Sequence, residues 1–262
     1  MNGRKVVSGT LWAMAFLFLF MNGCALWSKK EPEHTPQAMY DHAMTLFQKK
    51  KYGKAAEAFK KFKEEFPLSD LTPLVELRTA DALYFDKNYA EAIGLYEEFK
   101  KLHPLHNEIP YVIYQLGMCH FQQILSIDRD QTETERAIEQ FRYLTENFPQ
   151  SPHAANAQDK LQICHRQLLD REYYVGYFYF RTKKYKAALE RFEGILQKYP
   201  GTTLEKKIID MKEKCQVELS KIEKRNKDLE NKKEKEKTAL QKLRHLSLNG
   251  RNQRSSNIFS RA

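Results

Sequence analysis

Four cysteines are the side chains of this 262-residue chain best equipped for chemistry. Cys119-His120 and Cys164-His165 each set a thiol beside an imidazole, the residue types of a zinc site. Adjacent residues on a helix point about 100° apart, and no C-x-x-C or H-x-x-x-H spacing completes a ligand set. Asp128-Arg129-Asp130-Gln131-Thr132, with Glu139 eleven residues after Asp128, imitates a calcium loop, but the sixth position is Glu133 where the sharp turn needs Gly. A solvated loop is the expected state there. A Gly-rich phosphate loop, G-x-S-x-G and H-E-x-x-H are all missing, so no catalytic constellation is expected. The cysteine left for chemistry is Cys24, which follows the small Gly23. Without it an odd number remains (Cys119, Cys164 and Cys215), and these cannot all pair within one chain. Each sits in a helical pattern, where a lone Cys behaves as a small hydrophobe.

Cys24 is placed by what precedes it. Arg4 and Lys5 lead into an apolar run from Leu11 to Met21, followed by Asn22-Gly23-Cys24. That is the layout of a secretory signal peptide, and the run is about half of the roughly 20 residues that span a bilayer. Met21-Asn22-Gly23-Cys24 resembles the lipobox of bacterial lipoproteins, with Met21 where Leu is usual. The resemblance implies a diacylated Cys24 as the mature N-terminus, a covalent lipid and no other cofactor. Acylation of this kind meets the two-signal threshold for stable anchoring. Ala25 stands where Asp would resemble an inner-membrane retention signal, so the outer membrane is favoured. The alternative is a buried Cys near an ordinary cleavage site.

Charge separates the body from the ends. The formal net charge is +10, but residues 24–203 hold 25 basic and 25 acidic side chains, whereas residues 204–262 hold 17 basic and 9 acidic. A neutral body argues against a nucleic-acid partner. Only 10 Gly and 9 Pro argue against an all-β sandwich or barrel.

The elements that carry these residues repeat. Tyr52-x-x-Ala55-x-x-x-Phe59 with Pro67 recurs as Tyr89-x-x-Ala92-x-x-x-Tyr96 with Pro104, as Ala137-x-x-x-Phe141 with Pro149, and as Tyr185-x-x-Ala188-x-x-x-Phe192 with Pro200. In each copy the Ala lies twelve residues before the Pro and the aromatic eight before it. Ala43, Ala80, Gly117 and Gly176 are the small residues of a preceding helix. The pattern resembles the tetratricopeptide repeat and implies an all-α solenoid of antiparallel helix pairs with a C-terminal helical extension. Small residues let paired helices approach, the aromatic fills the gap to the next helix, and Pro ends the second helix. The Pro-to-Pro spacings of 37, 45 and 51 predict an insertion from Ser126 to Glu135 and a longer helix before Tyr173.

The expected organisation is a lipoprotein signal peptide (1–23), a lipidated linker (24–38), the repeats (39–203), a basic C-terminal helix (204–248) and a disordered tail (249–262). Leu204, Ile208, Met211, Cys215, Leu219 and Ile222 form one helical face that can dock onto the end of the repeats. The run Glu230 to Lys237 has no apolar residue, so a solvated helix is expected there and not a coiled coil.

In tetratricopeptide proteins the first helix of each repeat lines a concave groove. The resemblance carries that role to Tyr40, Met44 and Phe47, then to Leu74, Leu77, Asp81 and Tyr84, and then to Tyr111, Tyr114, Met118 and Phe121. Aromatics and Met supply large contact area for an extended apolar peptide at low entropy cost. For each residue alone, core and groove are both open; the set favours a groove.

A lipobox followed at once by such repeats resembles the BamD (ComL) outer-membrane assembly lipoproteins. The supporting motifs are Tyr111-Val112-Ile113-Tyr114-Gln115-Leu116-Gly117, the Asp128-Arg129-Asp130 insertion, Tyr174-Val175-Gly176-x-x-Tyr179, and Ala188 to Gly194 followed by Tyr199-Pro200. The resemblance implies a non-catalytic subunit of the β-barrel assembly machinery, lipid-anchored at the outer membrane and facing the periplasm. Its front repeats would receive targeting signals of unfolded outer-membrane proteins. Its rear repeats would hold the periplasmic domain of the central barrel subunit, with Arg191 pairing with an acid there. The alternative is a periplasmic tetratricopeptide scaffold linked to peptidoglycan or cell division.

Overall fold

The computed structural model describes the backbone of residues 34–259 and the side chains of residues 34–243. The expected signal peptide and Cys24 lie outside the described residues. Helices α1 (Pro36–Gln48), α2 (Tyr52–Glu65), α3 (Thr72–Phe85), α4 (Tyr89–Leu102), α5 (Ile109–Phe121), α6 (Thr132–Asn147), α7 (Ala154–Arg181), α8 (Tyr185–Lys198) and α9 (Glu205–Phe259) follow in order, with no strand among the described residues. The fold is all-α, of tetratricopeptide type. The chain divides into two compact units, with the boundary inside α5 between Val112 and Ile113.

The same local devices recur. The second helices α2, α4, α6 and α8 end at Phe66, His103, Phe148 and Tyr199, whose φ and ψ lie between −124 and −132° and between 53 and 65°. Each precedes a proline, which pushes its neighbour out of the helical region. The first helices α1, α3 and α7 end on Lys50, Lys87 and Lys183 with φ of 57, 65 and 61°. The next amide reaches back to close the helix, Lys51 to the Leu46 carbonyl, Asn88 to Leu83 and Lys184 to Tyr179, each at 2.9 Å. These are left-handed helix caps with Lys in the place Gly usually takes.

In the first unit α1 packs on α2, α2 on α3 and α3 on α4. In the second, α6 packs on α7, α7 on α8 and α8 on α9. One second-helix ring per repeat anchors the core: Phe59, Tyr96, Phe141 and Phe192 are all fully buried. A Cβ added to Gly117 would lie 2.5 Å from the Phe141 ring, and one added to Gly176 would lie 2.8 Å from Phe192. Those two crossings are closer than an alanine permits.

The insertion is shorter than expected. Helix α6 begins at Thr132, whose amide donates to the Asp130 side chain at 2.9 Å, so Thr132 to Glu135 belong to the helix. The loop before it is pinned by Gln131, which donates to the Ser126, Arg129 and Asp130 carbonyls, and by Arg171 of α7, which donates to Ile127 and Arg129. Helix α7 is 28 residues long, in line with the wide last spacing. In α9, Ile208, Met211 and Cys215 are buried against Leu169, Ala188, Phe192 and Ile195. The helix then continues to Phe259, through most of the segment expected to be disordered. No proline follows Pro200 to stop it, and extending a formed helix is far easier than starting one.

Candidate functional site

Counting from each repeat's small residue puts the candidate groove positions in register. Three before it lie Tyr40, Leu77, Tyr114 and Tyr173; one after it lie Met44, Asp81, Met118 and Tyr177. Three of the four tyrosine-or-leucine positions repeat one geometry. Tyr40 tilts over Phe59 with centroids 6.1 Å apart at 48°, Tyr114 over Phe141 at 6.0 Å and 49°, and Tyr173 over Phe192 at 5.8 Å and 48°. Each of these three first-helix rings therefore sits tilted against the core ring of its own repeat.

In the first unit Tyr40, Met44, Phe47, Tyr84 and Tyr111 are half-buried. Phe47 meets Tyr52 and Phe85 edge-on, at 5.3 and 5.7 Å. Leu77 is only 2 % exposed and belongs to the core, not to a groove wall. Asp81 is also buried, at 1 % exposure. Its carboxylate accepts from the Tyr96 hydroxyl at 2.7 Å, the Tyr111 hydroxyl at 2.8 Å and the Arg78 guanidinium at 2.7 Å. Burial nonetheless pushes its carboxyl above the usual range. The second repeat thus holds an internal polar knot where apolar contact was expected.

In the second unit Tyr114, Met118 and Phe121 are half-buried. Tyr114 stacks on His153 at 5.5 Å, Phe121 meets Phe141 at 6.3 Å, and the Lys160 ammonium sits 4.7 Å over Phe121. Burial raises the Tyr114 hydroxyl above its ordinary value. The fourth repeat adds three residues that sequence reasoning passed over: Tyr173 and Tyr177, stacked at 6.2 Å, and Phe180. Counting from Gly176, as for the other repeats, identifies all three.

Arg191 lies on α8 and is half-exposed, with its guanidinium 3.2 Å from Glu172 of α7. It lines an open cavity of about 570 Å³ with Glu172, Tyr179, Glu190, Lys198 and Tyr199. The cavity combines both charges with two tyrosines, which suits a protein segment carrying charges of its own. Cys119, Cys164 and Cys215 are buried and none of them forms a disulfide among the described residues; burial pushes Cys164 up to about 11. No group of three metal-ligating side chains occurs among the described residues, and no helix among them is long and apolar enough to cross a membrane.

A family described as "YfiO: Outer membrane lipoprotein" matches residues 32–233. The chain is 31% identical over 195 residues to the outer membrane protein assembly factor BamD of Rickettsia prowazekii, covering 73% of this chain and 77% of that one. It is 28% identical to the BamD of Caulobacter vibrioides, covering 69% and 61%, and 26% identical to that of Vibrio cholerae, covering 79% and 88%. Among solved structures, a MamA fragment from Desulfovibrio magneticus aligns over 65% of this chain and 80% of its own, with a TM-score of 0.37 and 17% identity. The match across most of the helical region settles the family: this chain belongs to the YfiO outer membrane lipoproteins, the family of the BamD assembly factors.

Proposed function

We propose that this chain is a non-catalytic subunit of outer-membrane β-barrel assembly, anchored by lipid on Cys24 and facing the periplasm. Half-buried first-helix rings such as Tyr40, Phe47 and Tyr84 receive segments of unfolded outer-membrane proteins. Arg191 and its cavity hold the periplasmic domain of the central barrel subunit. The observation that carries this reading is the placement of Arg191 in a family member: half-exposed, at the wall of a cavity large enough for a side-chain cluster, with a single 3.2 Å ion pair to Glu172. An exposed pair of this kind contributes well under about 1 kcal/mol to folding, so the guanidinium is available to a partner. The reading calls for no cofactor beyond the lipid and no nucleic acid.

Affinity purification of the tagged full chain from detergent-solubilised membranes tests it. A barrel-forming protein with a periplasmic domain should co-purify with the wild type and be lost with Arg191→Glu. Its absence from the wild-type eluate would overturn the reading.

A further inference from the structure

Between Glu223 and Leu243, helix α9 is not covered by the rest of the fold. Every side chain from Glu223 to Leu243 is exposed. Residues 224–243 carry eight basic and four acidic side chains, and residues 244–262 carry four arginines and no acid. Among the described residues, none of those eight basic groups has an acid within ion-pair distance. The family match ends at residue 233, so most of this segment is additional to it.

The apolar residues here are few but aligned. At about 100° per residue, Leu229, Leu240 and Leu243 fall within roughly 60° of one another and of Ile222, the last half-buried residue of the docked face. Their exposures are 51, 63 and 62 %. Lys232 and Lys233 border this strip on its two sides, and Arg225 and Glu236 interrupt it. Three leucines are too sparse for a coiled-coil seam, which needs an apolar residue about every 3.5 positions, so a second copy of the helix is a poor occupant. A narrow apolar strip edged by lysines suits the headgroup region of a bilayer instead. There leucines reach the acyl boundary while lysine stems extend to bring their charges to phosphates.

We infer that the exposed segment of α9 from Glu223 to Leu243 is a membrane-surface element that binds anionic phospholipid headgroups, with charge complementarity as its main source of affinity. The inference does not depend on the peptide-binding or Arg191 roles proposed above.

The test is vesicle flotation of the mature chain from residue 25 onward, without an acyl chain. It should float with vesicles containing about one-third phosphatidylglycerol, stay behind with pure phosphatidylcholine, and release as salt rises toward about 0.5 M. Each basic residue near an anionic surface is worth about five-fold in affinity, so replacing Lys232, Lys233, Lys235 and Lys237 together by Gln should weaken binding at least about fifty-fold, and by Glu further still. Circular dichroism establishes that helix content is kept; if the Glu set loses helix, the Gln set decides. Equal binding to neutral vesicles, no binding to anionic ones, or binding unchanged in the Gln set would overturn the inference. So would sedimentation showing that the same lysines instead control self-association.

Discussion

The Tyr96 hydroxyl donates a 2.7 Å hydrogen bond to the Asp81 carboxylate, and the two residues are the exceptions at their positions. Other repeats have Met44, Met118 and Tyr177 where this one has Asp81, and Phe59, Phe141 and Phe192 where it has Tyr96. A buried acid and a buried hydroxyl thus occur together, as expected when each would be costly alone. Burial raises Asp81 above its ordinary value of 3.8, against the opposing effect of Tyr96, Tyr111 and Arg78. The folded state therefore holds this proton more tightly than the unfolded chain does. The stability linked to Asp81 is full below 3.8 and is lost as pH rises through the raised folded value. Tyr96→Phe removes a donor to the charged form, so it should cost about 1–3 kcal/mol at pH 7 and less near pH 4. Urea unfolding at both pH values reads this directly; equal losses at the two would refute it.

Two glycines mark the tightest helix crossings, and a third serves as their control. Gly117→Ala and Gly176→Ala drive a methyl group into Phe141 and Phe192 and should each cost about 1–3 kcal/mol. Gly194, also inside a helix, has nothing within 4 Å of its added Cβ, so Gly194→Ala should stabilise by about 0.5–1 kcal/mol. Phe141→Leu should partly rescue Gly117→Ala by withdrawing the ring. Thermal melts of the four variants would expose a wrong assignment through the sign of the shift alone.

Lys50, Lys87 and Lys183 hold left-handed conformations that favour glycine, and all three are exposed. Nothing is lost when their side chains are removed, whereas the strain of a Cβ in that region is relieved. Each Lys→Gly change should therefore stabilise the fold by about 0.5–1 kcal/mol, despite the extra freedom glycine gives the unfolded chain. A destabilised Lys87→Gly variant in chemical denaturation would contradict this.

The repeat was legible because its signals are local and steric. Pro67, Pro104, Pro149 and Pro200 stop helices wherever they fall, and Ala43 or Gly117 marks a crossing whatever surrounds it. The groove face was less legible, since first-helix positions have two environments that spacing alone does not separate. Leu77 is buried by neighbouring helices, whereas Tyr84 on the same helix stays half-buried. The repeat register sets Asp81 on the groove face, whereas its burial depends on two tyrosine partners fifteen and thirty residues away, beyond the reach of any periodicity. Tyr173, Tyr177 and Phe180 were legible but uncounted. The continuation of α9 to Phe259 could not be read from composition, because it depends on the docked turns at Ile208 to Cys215 nucleating the helix.

Arg191 and the front aromatics can be separated by substitution, because the proposed function gives them different partners. In Arg191→Glu a carboxylate replaces the guanidinium beside Glu172 and meets an acidic partner with like charge, so attachment should be lost through both the missing pair and new repulsion. Because the native pair is exposed, folding should weaken by less than about 1 kcal/mol. Tyr40→Ala removes a half-buried ring from Phe59 without touching α8. It should weaken capture of a targeting-signal peptide from an outer-membrane protein by about 1–3 kcal/mol while the barrel subunit still co-purifies. Melting curves must first show that both variants are folded, since the Tyr40 ring also contributes packing. If the two folded variants lose the same partner, or neither loses any, then Arg191 and Tyr40 do not serve separate partners.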